Sequence, residues 1–474
     1  MTLNKSELDL TSGNLFLKIP RFAIPLMATT ILQLLYTTID LWTVSTYGGG
    51  ALSMSAIGSN SALINMIVTV LVSLATGANV CISVAKGAND QKRAERLLHT
   101  ALIIAVVGGV IIGLFGFFCS RYFLVWMDTP DSIILEATDY LKIYFIGVPF
   151  LMIYNFGSQI ERALGDSKRP LFILILSGII NVVGDLVFVI VFKMNVKGAA
   201  LATISSEGIA AILTILCFIF SKNSYVKLKL KELKFSKKEF LDILKIGLPA
   251  GIQGLAFCIP NVLIQSSLYT IHNYTIGGVA ISENEIVAGA SASAQIEGYI
   301  FSMLDAFSIT LISFVGQNYG KQNKVNIRKS YWYCFIWQMI FWLISFIISI
   351  TIPYQLLSIF IKQSDGMVIE NALKAGRERL FIMSLTYWLD GWMGLNSNYL
   401  RGMKVSTPPA IITMIGCSGT RILFLYTLFK TETFHTIFWL YAAFPISWIL
   451  VNIVYLPTIL LYERKQLNFN IETI

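Results

Sequence analysis

The sequence contains few charged side chains and very few histidines. Only 13% of its 474 residues are Asp, Glu, Lys or Arg and three are histidine, whereas 55% are apolar. Soluble domains carry about 25% charged residues, so this composition and a mean hydropathy of +0.68 exclude an ordinary soluble protein. No HExxH, GxGD or glycine-rich nucleotide loop is present, which argues against an intramembrane enzyme and against direct ATP coupling. Most of the chain therefore requires lipid as its solvent.

Polar breaks divide the chain into twelve apolar segments that can each cross a bilayer as a helix, which takes roughly 20 apolar residues. The predicted spans are residues 22–44, 54–85, 97–124, 133–160, 171–192, 198–220, 247–271, 287–316, 327–360, 380–400, 408–429 and 434–461. The sequence therefore predicts an all-α integral membrane protein with twelve transmembrane helices.

Lysine and arginine are distributed unevenly among the loops. An even number of spans places both termini on one side, and the loops on that side hold most of the cations, including eight lysines within residues 221–246. Cationic loops stay in the cytoplasm, so we expect a multi-pass plasma-membrane protein with both termini cytoplasmic. This topology explains the net charge of +9 without a nucleic-acid partner.

The two halves of the chain resemble each other. ISVAKGANDQKRAERL, after the second span, resembles SFVGQNYGKQNKVNIRKS, after the eighth, and this aligns Gly87 with Gly320. ERALGDSKRP and YLRGMKVSTPP align Gly165 with Gly402 in the same way, and both separations are close to half the chain. Such internal duplication is common among secondary transporters.

The duplication predicts two six-helix lobes related by a pseudo-two-fold axis along the membrane normal. The predicted domains are an N-terminal lobe (1–220), a lysine-rich cytoplasmic linker (221–246) and a C-terminal lobe (247–474). Pro25 and Pro249 begin corresponding spans, and we expect them to act as hinges because proline locally weakens a helix.

Acidic residues within the spans are the candidate functional residues, because a charge at the centre of a membrane helix costs roughly 2.5 to 3.5 kcal/mol. They are Asp40, Asp185, Glu207, Glu297, Asp305 and Asp390. A helix rises roughly 1.5 Å per residue, so the distance of each residue from the midpoint of its span can be calculated. This distance places four residues at a similar depth in the outer half of the first lobe: Asp40, Asn181, Asp185 and Thr203.

Two neighbouring carboxyls in a low dielectric do not readily ionise together, so this cluster predicts the loading and release of a proton. The same oxygens, with the amide of Asn181 and the hydroxyl of Thr203, could instead ligate Na⁺. Glu207 and Glu297 are further candidates for this coupling. The alternative is a purely structural role for the acids, and neither another metal site nor a cofactor is predicted.

Several motifs together resemble the MATE family of multidrug and toxin extrusion antiporters. They are TIDLWTVSTYGGGALS around Asp40, ALGDSKRP and NVVGD at the fifth span, KGAALAT in the sixth and IEGYIFSMLDAFSITLISFVGQNYG in the eighth. The resemblance covers nearly the whole chain and implies a V-shaped, two-lobe transporter that exchanges organic cations or xenobiotics for H⁺ or Na⁺. The cluster of Asp40, Asn181, Asp185 and Thr203 resembles the acid, Asn and Thr cluster of the DinF-like branch. NorM-type members couple through an acid in span seven, and Phe257 occupies that position here, which argues against coupling by that route.

An exporter of this kind is expected to act on cationic or amphipathic small molecules. Tyr36 lies one turn before Asp40 on the same helix face, and it is a predicted substrate contact because aromatic faces attract cations. Gln33 and Glu297 are the other predicted substrate contacts. Membrane lipids are the other expected partners, and the chain is expected to be a monomer. The alternatives are a flippase for lipid-linked precursors, for which Arg421 is the one predicted intramembrane cation, and an intramembrane enzyme.

Overall fold

The computed structural model describes residues 7–47, 51–220, 225–271, 274–276, 279–361 and 367–468, and most of these are helical. The helices are α1 (Leu15–Tyr47), α2 (Ala51–Gly87), α3 (Gln91–Trp126), α4 (Ile134–Ala163), α5 (Lys168–Asp185), α6 (Asn195–Phe220), α7 (Lys237–Ser267), α8 (Glu283–Gly320), α9 (Lys324–Thr351), α10 (Pro353–Ser358), α11 (Ile369–Gly402), α12 (Thr407–Thr413), α13 (Thr420–Tyr426) and α14 (Ile437–Gln466).

Shorter elements complete the fold. A π-helical turn, Leu186–Val191, continues α5, and a second, Met414–Gly419, joins α12 to α13. Single 3₁₀ turns occur at Leu230–Glu232, Leu268–Thr270 and Leu428–Lys430. Strands β1 (Thr275–Ile276) and β2 (Val279–Ala280) form an antiparallel hairpin between α7 and α8, with Thr275 opposite Ala280.

Within the described ranges, eleven helical segments are long and apolar enough to cross a membrane. One of them, Thr407–Lys430, comprises α12, the second π turn and α13. α11 is not among the eleven because of its polar composition, which includes Arg377, Glu378, Arg379 and Asp390. Its 34 residues nevertheless suffice to span a bilayer, and with it the twelve predicted spans are accounted for.

Most helices extend beyond the predicted spans. α1 begins at Leu15 and not at residue 22, α7 begins at Lys237, inside the range predicted as a linker, and α11 begins at Ile369 and not at residue 380. Hydropathy marks only the part of a helix immersed in hydrocarbon, whereas backbone hydrogen bonding continues into the polar interface. This correction places Arg379 inside a helix.

The chain forms two compact units. The first comprises the described residues up to Asn14, Arg21–Gly251 and Gly316–Asn323, and the second comprises Leu15–Pro20, Ile252–Val315 and the chain from Lys324 onward. The end of α8 thus belongs to the first unit and the start of α1 to the second. The predicted division at residues 221–246 stays a prediction.

Helix α3 illustrates how helices of this fold pack in lipid. Its buried face carries small residues, Gly109, Gly113, Gly116 and Ser120. Its exposed face carries large apolar ones, Ile111, Phe115, Phe118 and Tyr122, each more than 60% exposed. Small residues let membrane helices approach closely while large side chains face the acyl chains, so this arrangement is typical of a helix at a lipid boundary.

Candidate functional site

Three helices of the first unit bring the predicted acid cluster together. Asp40 lies on α1, Asn181 and Asp185 lie one turn apart on α5, and Thr203 lies on α6. The side chains of Asp185, Asn181 and Thr203 are all immediate neighbours of the Asp40 carboxyl. The four residues predicted at one depth therefore meet, and their role in ion coupling stays a prediction.

A change of helix type positions Asp185. The α-helical part of α5 ends at this residue and the π-helical turn begins at Leu186. Such turns insert an extra residue and are frequent at functional sites. α6 lies close at this level, since a Cβ added to Gly184 would be 3.0 Å from the Cβ of Ala202. Asp185 and Thr203 each follow this close approach by one residue along their helices.

Four buried side-chain oxygens of this cluster have no hydrogen-bond donor within the described part of the chain. They are Asp40 Oδ1, Asn181 Oδ1 and both carboxyl oxygens of Asp185. Asp185 has no exposed surface and Asn181 is 5% exposed, so bulk water does not satisfy them. The Thr203 hydroxyl donates to the carbonyl of Ala199 at 3.0 Å, which leaves its lone pairs available.

Buried acceptors without a donor cost about 1 to 3 kcal/mol each. A shared proton or a hard cation bound among these oxygens would remove that cost. No group of three or more His, Cys, Asp or Glu side chains suited to a metal ion occurs in the ranges that the structure describes. Two carboxyl groups can share a proton, and with the neutral oxygens of Asn181 and Thr203 they also match the ligands of Na⁺.

Glu207 extends this negative environment toward α4. It lies one turn after Thr203 on α6 and interacts electrostatically with Asp40. Its Oε2 is buried without a hydrogen bond to any described residue. A Cβ added to Gly147 of α4 would lie 3.1 Å from that oxygen, so the missing side chain at this position leaves room for the carboxyl. Glu207 thus joins the acids with which it was predicted to act.

Two tyrosines of α4 that were not predicted from the sequence border the acids. Tyr140 and Tyr144 are 8% and 6% exposed, and their rings are stacked with centroids 6.5 Å apart. Tyr140 interacts electrostatically with Asp40, Asp185 and Glu207, and Tyr144 with Glu207. The sequence did contain a sign of this arrangement. Two tyrosines one helical turn apart lie on the same face of an apolar span, and a buried phenol usually needs a polar partner.

Tyr36 packs on α5. Its ring occupies the space left by the missing side chain of Gly178 (the notch at Gly178), since a Cβ added to Gly178 would lie 1.8 Å from the Tyr36 ring. The Tyr36 hydroxyl lies 3.5 Å from the carbonyl oxygen of Leu174. Gln33, on the preceding turn of α1, is exposed. Tyr36 therefore has a packing role in the first unit, and the substrate contacts predicted for both residues stay predictions.

Glu297 has a full set of partners in the second unit. Its carboxylate accepts two hydrogen bonds from Arg379 of α11, Nε to Oε1 at 2.8 Å and Nη2 to Oε2 at 3.0 Å. Ser293 donates to Oε1 at 2.8 Å. Glu297 and Arg379 are 3% and 6% exposed. The predicted roles of Glu297 in coupling and substrate binding stay predictions, and each would require this ion pair to open.

The second unit holds two further arginines away from its surface besides the predicted Arg421. Arg379 is buried and Arg401 is half-buried, and both lie just outside the predicted span 380–400. Arg401 donates to Asn398 Oδ1 at 3.0 Å and also to Gln253. Burial within the protein does not place Arg379 or Arg401 within the bilayer, so Arg421 as the one intramembrane cation stays a prediction.

The two predicted hinge prolines lie inside helices. Pro25 is buried in α1, and its carbonyl accepts a hydrogen bond from the Thr29 hydroxyl at 2.8 Å. Pro249 lies half-buried within α7. A proline has no backbone N–H to donate, so both helices are weakened at these points without being broken. Bending at either residue stays a prediction.

The MatE family model matches residues 25–187 and 258–427 of this chain, one block in each half. The chain belongs to the MatE family. Curated relatives agree with this membership. A probable multidrug resistance protein of Bacillus subtilis, YpnP, is 31% identical over 67% of this chain and 68% of its own length. The probable multidrug resistance protein NorM of Thermotoga maritima is 25% identical over 86% of this chain and 85% of its own length.

Solved structures show the same MatE fold. An outward-facing multidrug resistance MATE family transporter of the MOP superfamily superposes with a TM-score of 0.85 at 20% identity and covers 98% of this chain and 99% of that one. A MOP superfamily transporter from Pyrococcus furiosus, described as having a binding pocket of reversed polarity, gives a TM-score of 0.86 at 21% identity, with the same coverage.

These similarities confirm three predictions for this MatE protein. It has the nearly all-helical MATE transporter fold with twelve membrane helices, it belongs to a family of multi-pass multidrug transporters with small-molecule substrates, and it is not an enzyme. They identify the family and not a branch within it, so the resemblance to DinF-like members stays a prediction.

Proposed function

We propose that this MatE protein exports cationic or amphipathic small molecules from the cytoplasm in exchange for H⁺ or Na⁺. The proposed ion site is the cluster of Asp40, Asn181, Asp185 and Thr203, with Glu207 beside it. No other cofactor takes part. The relatives YpnP and NorM, both probable multidrug resistance proteins, support a substrate of this class.

The observation that carries the proposal is the convergence of buried oxygens from three helices without a donor in the described chain. Two carboxyls among them repel each other unless one is protonated or a cation lies between them. Ion binding would therefore draw α1, α5 and α6 together, and ion loss would loosen them. This gives the first unit two states that an ion can select.

Alternating access follows if the cationic substrate and the coupling ion compete for the negative charge of Asp40 and Asp185. Binding of one then favours release of the other. Each elementary charge moved down a membrane potential supplies roughly 2.3 kcal/mol per 100 mV, enough to bias a two-state equilibrium about fifty-fold. By linkage, the ion weakens substrate binding by the factor by which the substrate weakens ion binding. If H⁺ is the ion, protonation at low pH neutralises the acids, so affinity for a cationic substrate falls as pH falls.

The proposed location is the plasma membrane with both termini in the cytoplasm. The uneven distribution of lysine and arginine among the loops supports this orientation, and lipid contacts are expected along faces such as that of α3. A monomer is proposed, with the ion site built from one chain.

Uptake of a fluorescent organic cation into everted vesicles, whose outer face is the cytoplasmic one, tests the ion site. Asp40→Asn and Asp185→Asn should each lower gradient-driven transport at least about tenfold, because an amide cannot exchange a proton and lacks the negative charge that holds Na⁺. The matched control is Asp139→Asn on α4, which removes an exposed carboxylate paired with Lys197 at 3.0 Å and should leave transport unchanged.

An imposed pH gradient and an imposed Na⁺ gradient, applied separately, identify the coupling ion. Wild-type rates in both cluster variants, with normal amounts of protein in the membrane, would show that the acids are structural. Transport that follows neither gradient would refute antiport.

A flippase for lipid-linked precursors is the second candidate. It is favoured by Arg401 and Arg421 of the second unit, since a diphosphate group requires cations, whereas Arg379 is already held by Glu297. Translocation of a lipid-linked diphosphate in proteoliposomes, with no export of organic cations, would support it over the antiporter.

A further inference from the structure

The connecting segment, residues 225–236 between α6 and α7, is fixed to the start of α3. The backbone N–H of Lys229 donates to Nε2 of His99 at 3.4 Å, and the backbone N–H of Ser236 donates to Oγ1 of Thr100 at 3.2 Å. A segment that is bonded to its unit at two points opens less readily than a free linker. Its remaining side chains therefore form a defined surface of the first unit.

The contacts of the connecting segment place it at the level where the hydrocarbon begins. His99 and Thr100 belong to the first turn of the third predicted span. The backbone N–H of Leu228 donates at 3.1 Å to the carbonyl of Phe218, which belongs to the last turn of the sixth. The ends of two spans thus fix the segment at the headgroup level of one leaflet. Its lysines assign that leaflet to the cytoplasmic side.

Three large apolar side chains of the connecting segment are exposed. Leu230 is 64% exposed, Leu233 is 42% exposed and Phe235 is 52% exposed, whereas Val226 and Leu228 are buried against the unit. Exposed apolar groups that lie close together mark an interaction site. At the headgroup level the apolar surroundings available to them are the first methylene groups of the acyl chains.

Four lysines surround these apolar side chains without forming an ion pair within the described part of the chain. They are Lys231, Lys234, Lys237 and Lys238, and all four are exposed. The neighbouring acids are already paired, Glu232 with Lys229 at 3.2 Å and Glu239 with Arg93 at 3.3 Å. The positive charge of the four lysines is therefore available to an anionic partner.

We propose that this surface binds the anionic phospholipids of the cytoplasmic leaflet, with the four lysines at the phosphates and Leu230, Leu233 and Phe235 among the first acyl methylenes. The leaflet rests on the orientation given in the proposed function, and the lipid contact goes beyond that function. Each lysine near an anionic leaflet strengthens binding about fivefold, which corresponds to roughly 1 kcal/mol. A nucleic acid would match the lysines but not the three apolar side chains, so a membrane surface is favoured.

Hydrogen–deuterium exchange of the full-length protein in lipid nanodiscs tests this surface. One preparation contains phosphatidylcholine alone, and the other contains equal amounts of phosphatidylcholine and phosphatidylglycerol. Phosphatidylglycerol should slow exchange of the backbone amides of residues 230–235 at least about fivefold. About 1 M NaCl should remove most of this effect, because it screens charges beyond about 3 Å. Exchange in β1 and β2, at the other end of α7, should not change.

A pair of lysine variants with a matched control isolates the charge. Lys231→Gln combined with Lys234→Gln should abolish most of the difference between the two lipid mixtures. Lys329→Gln combined with Lys465→Gln removes the same charge from exposed lysines of the second unit and should keep that difference. All four side chains are exposed, so each variant should fold.

A second pair isolates the apolar contribution. Leu233→Ser combined with Phe235→Ser should speed exchange of residues 230–235 in both lipid mixtures, because the segment loses its apolar contact with the acyl chains. Equal exchange of the wild type in the two mixtures would overturn the proposal, as would an effect of phosphatidylglycerol that persists in the double lysine variant. Protection by added RNA, with none by phosphatidylglycerol, would instead indicate a nucleic-acid surface.

This measurement needs neither an ion gradient nor a substrate. A negative result therefore leaves the coupling proposed for Asp40 and Asp185 standing, and loss of coupling in the vesicle assay leaves the lipid surface standing. An inverted topology would contradict the leaflet but not the lipid contact.

Discussion

At the scale of single residues, buried charge has two different environments in this protein. Asp185 of the first unit is fully buried and none of its oxygens meets a donor in the described chain. Glu297 of the second unit is equally inaccessible but is held by Arg379 and Ser293. An open acid can exchange an ion without breaking a protein contact, whereas a paired acid is costly to disturb.

The Glu297–Arg379 pair should therefore be important for stability. Arg379→Met is expected to destabilise the protein by about 3 to 5 kcal/mol, because it leaves a buried carboxylate unpaired. Glu297→Leu combined with Arg379→Met should recover most of that loss, since no charge is left behind. Thermal unfolding in detergent measures both variants.

The control for this pair is Lys374→Met, which breaks an ion pair of 2.7 Å between Lys374 and the largely exposed Glu370 on α11. Exposed pairs contribute about 1 kcal/mol or less, so its melting temperature should hardly change. A double variant no more stable than Arg379→Met alone would contradict this account.

At the scale of elements, the ends of α2 and α8 pack closely within the first unit. Gly87 and Gly320, which occupy equivalent positions in the two halves of the sequence, lie at this contact. A Cβ added to Gly87, at the end of α2, would lie 1.9 Å from the carbonyl oxygen of Gln317 on α8. A Cβ added to Gly320, at the end of α8, would lie 2.1 Å from the carbonyl oxygen of Val84 on α2. The two helix ends therefore pack backbone to backbone.

Alanine at either position should push these helix ends apart. Gly87→Ala and Gly320→Ala are each expected to destabilise the protein by about 1 to 3 kcal/mol, the usual effect of overpacking. Fluorescence-detected size exclusion after heating measures the fraction that stays folded.

Matched controls for this contact lie on the same two helices. Gly58 of α2 and Gly298 of α8 have no atom within 4 Å of an added Cβ. Alanine there should be neutral, or stabilising by up to about 1 kcal/mol through helix propensity. Equal stability of all four variants would show that the close contact is unimportant.

At the scale of the whole molecule, the order of helices along the chain determines the topology. α7 runs from Lys237 to Ser267 between the lysine-rich segment and the β-hairpin. The hairpin and that segment should therefore lie on opposite sides of the membrane. The positive-inside rule then assigns the lysines to the cytoplasm.

Reporter fusions test this topology directly. A reporter that is active only in the cytoplasm should give signal when fused after Leu230 and none when fused after Ala280. Signal at both positions would mean that α7 does not cross the membrane, and the reverse pattern would place the termini outside.

The amino-acid sequence by itself determined the number of membrane helices and which residues form the buried acid cluster. Both follow from local properties, since apolar length sets a span and a charge inside a span is too costly to persist without a role. Depth along each helix then sufficed to place Asp40, Asn181, Asp185 and Thr203 together, because the rise per residue is constant.

Only the tertiary structure decided which side chains face each other across helices. Arg379 was missed as the partner of Glu297 because it lies beyond the apolar stretch of α11. The electrostatic interaction of Tyr140 with the acids and the packing of Tyr36 against Gly178 depend on how α4 and α1 are rotated about their axes. Rotation is set by packing against neighbouring helices, and nothing within a single segment specifies it.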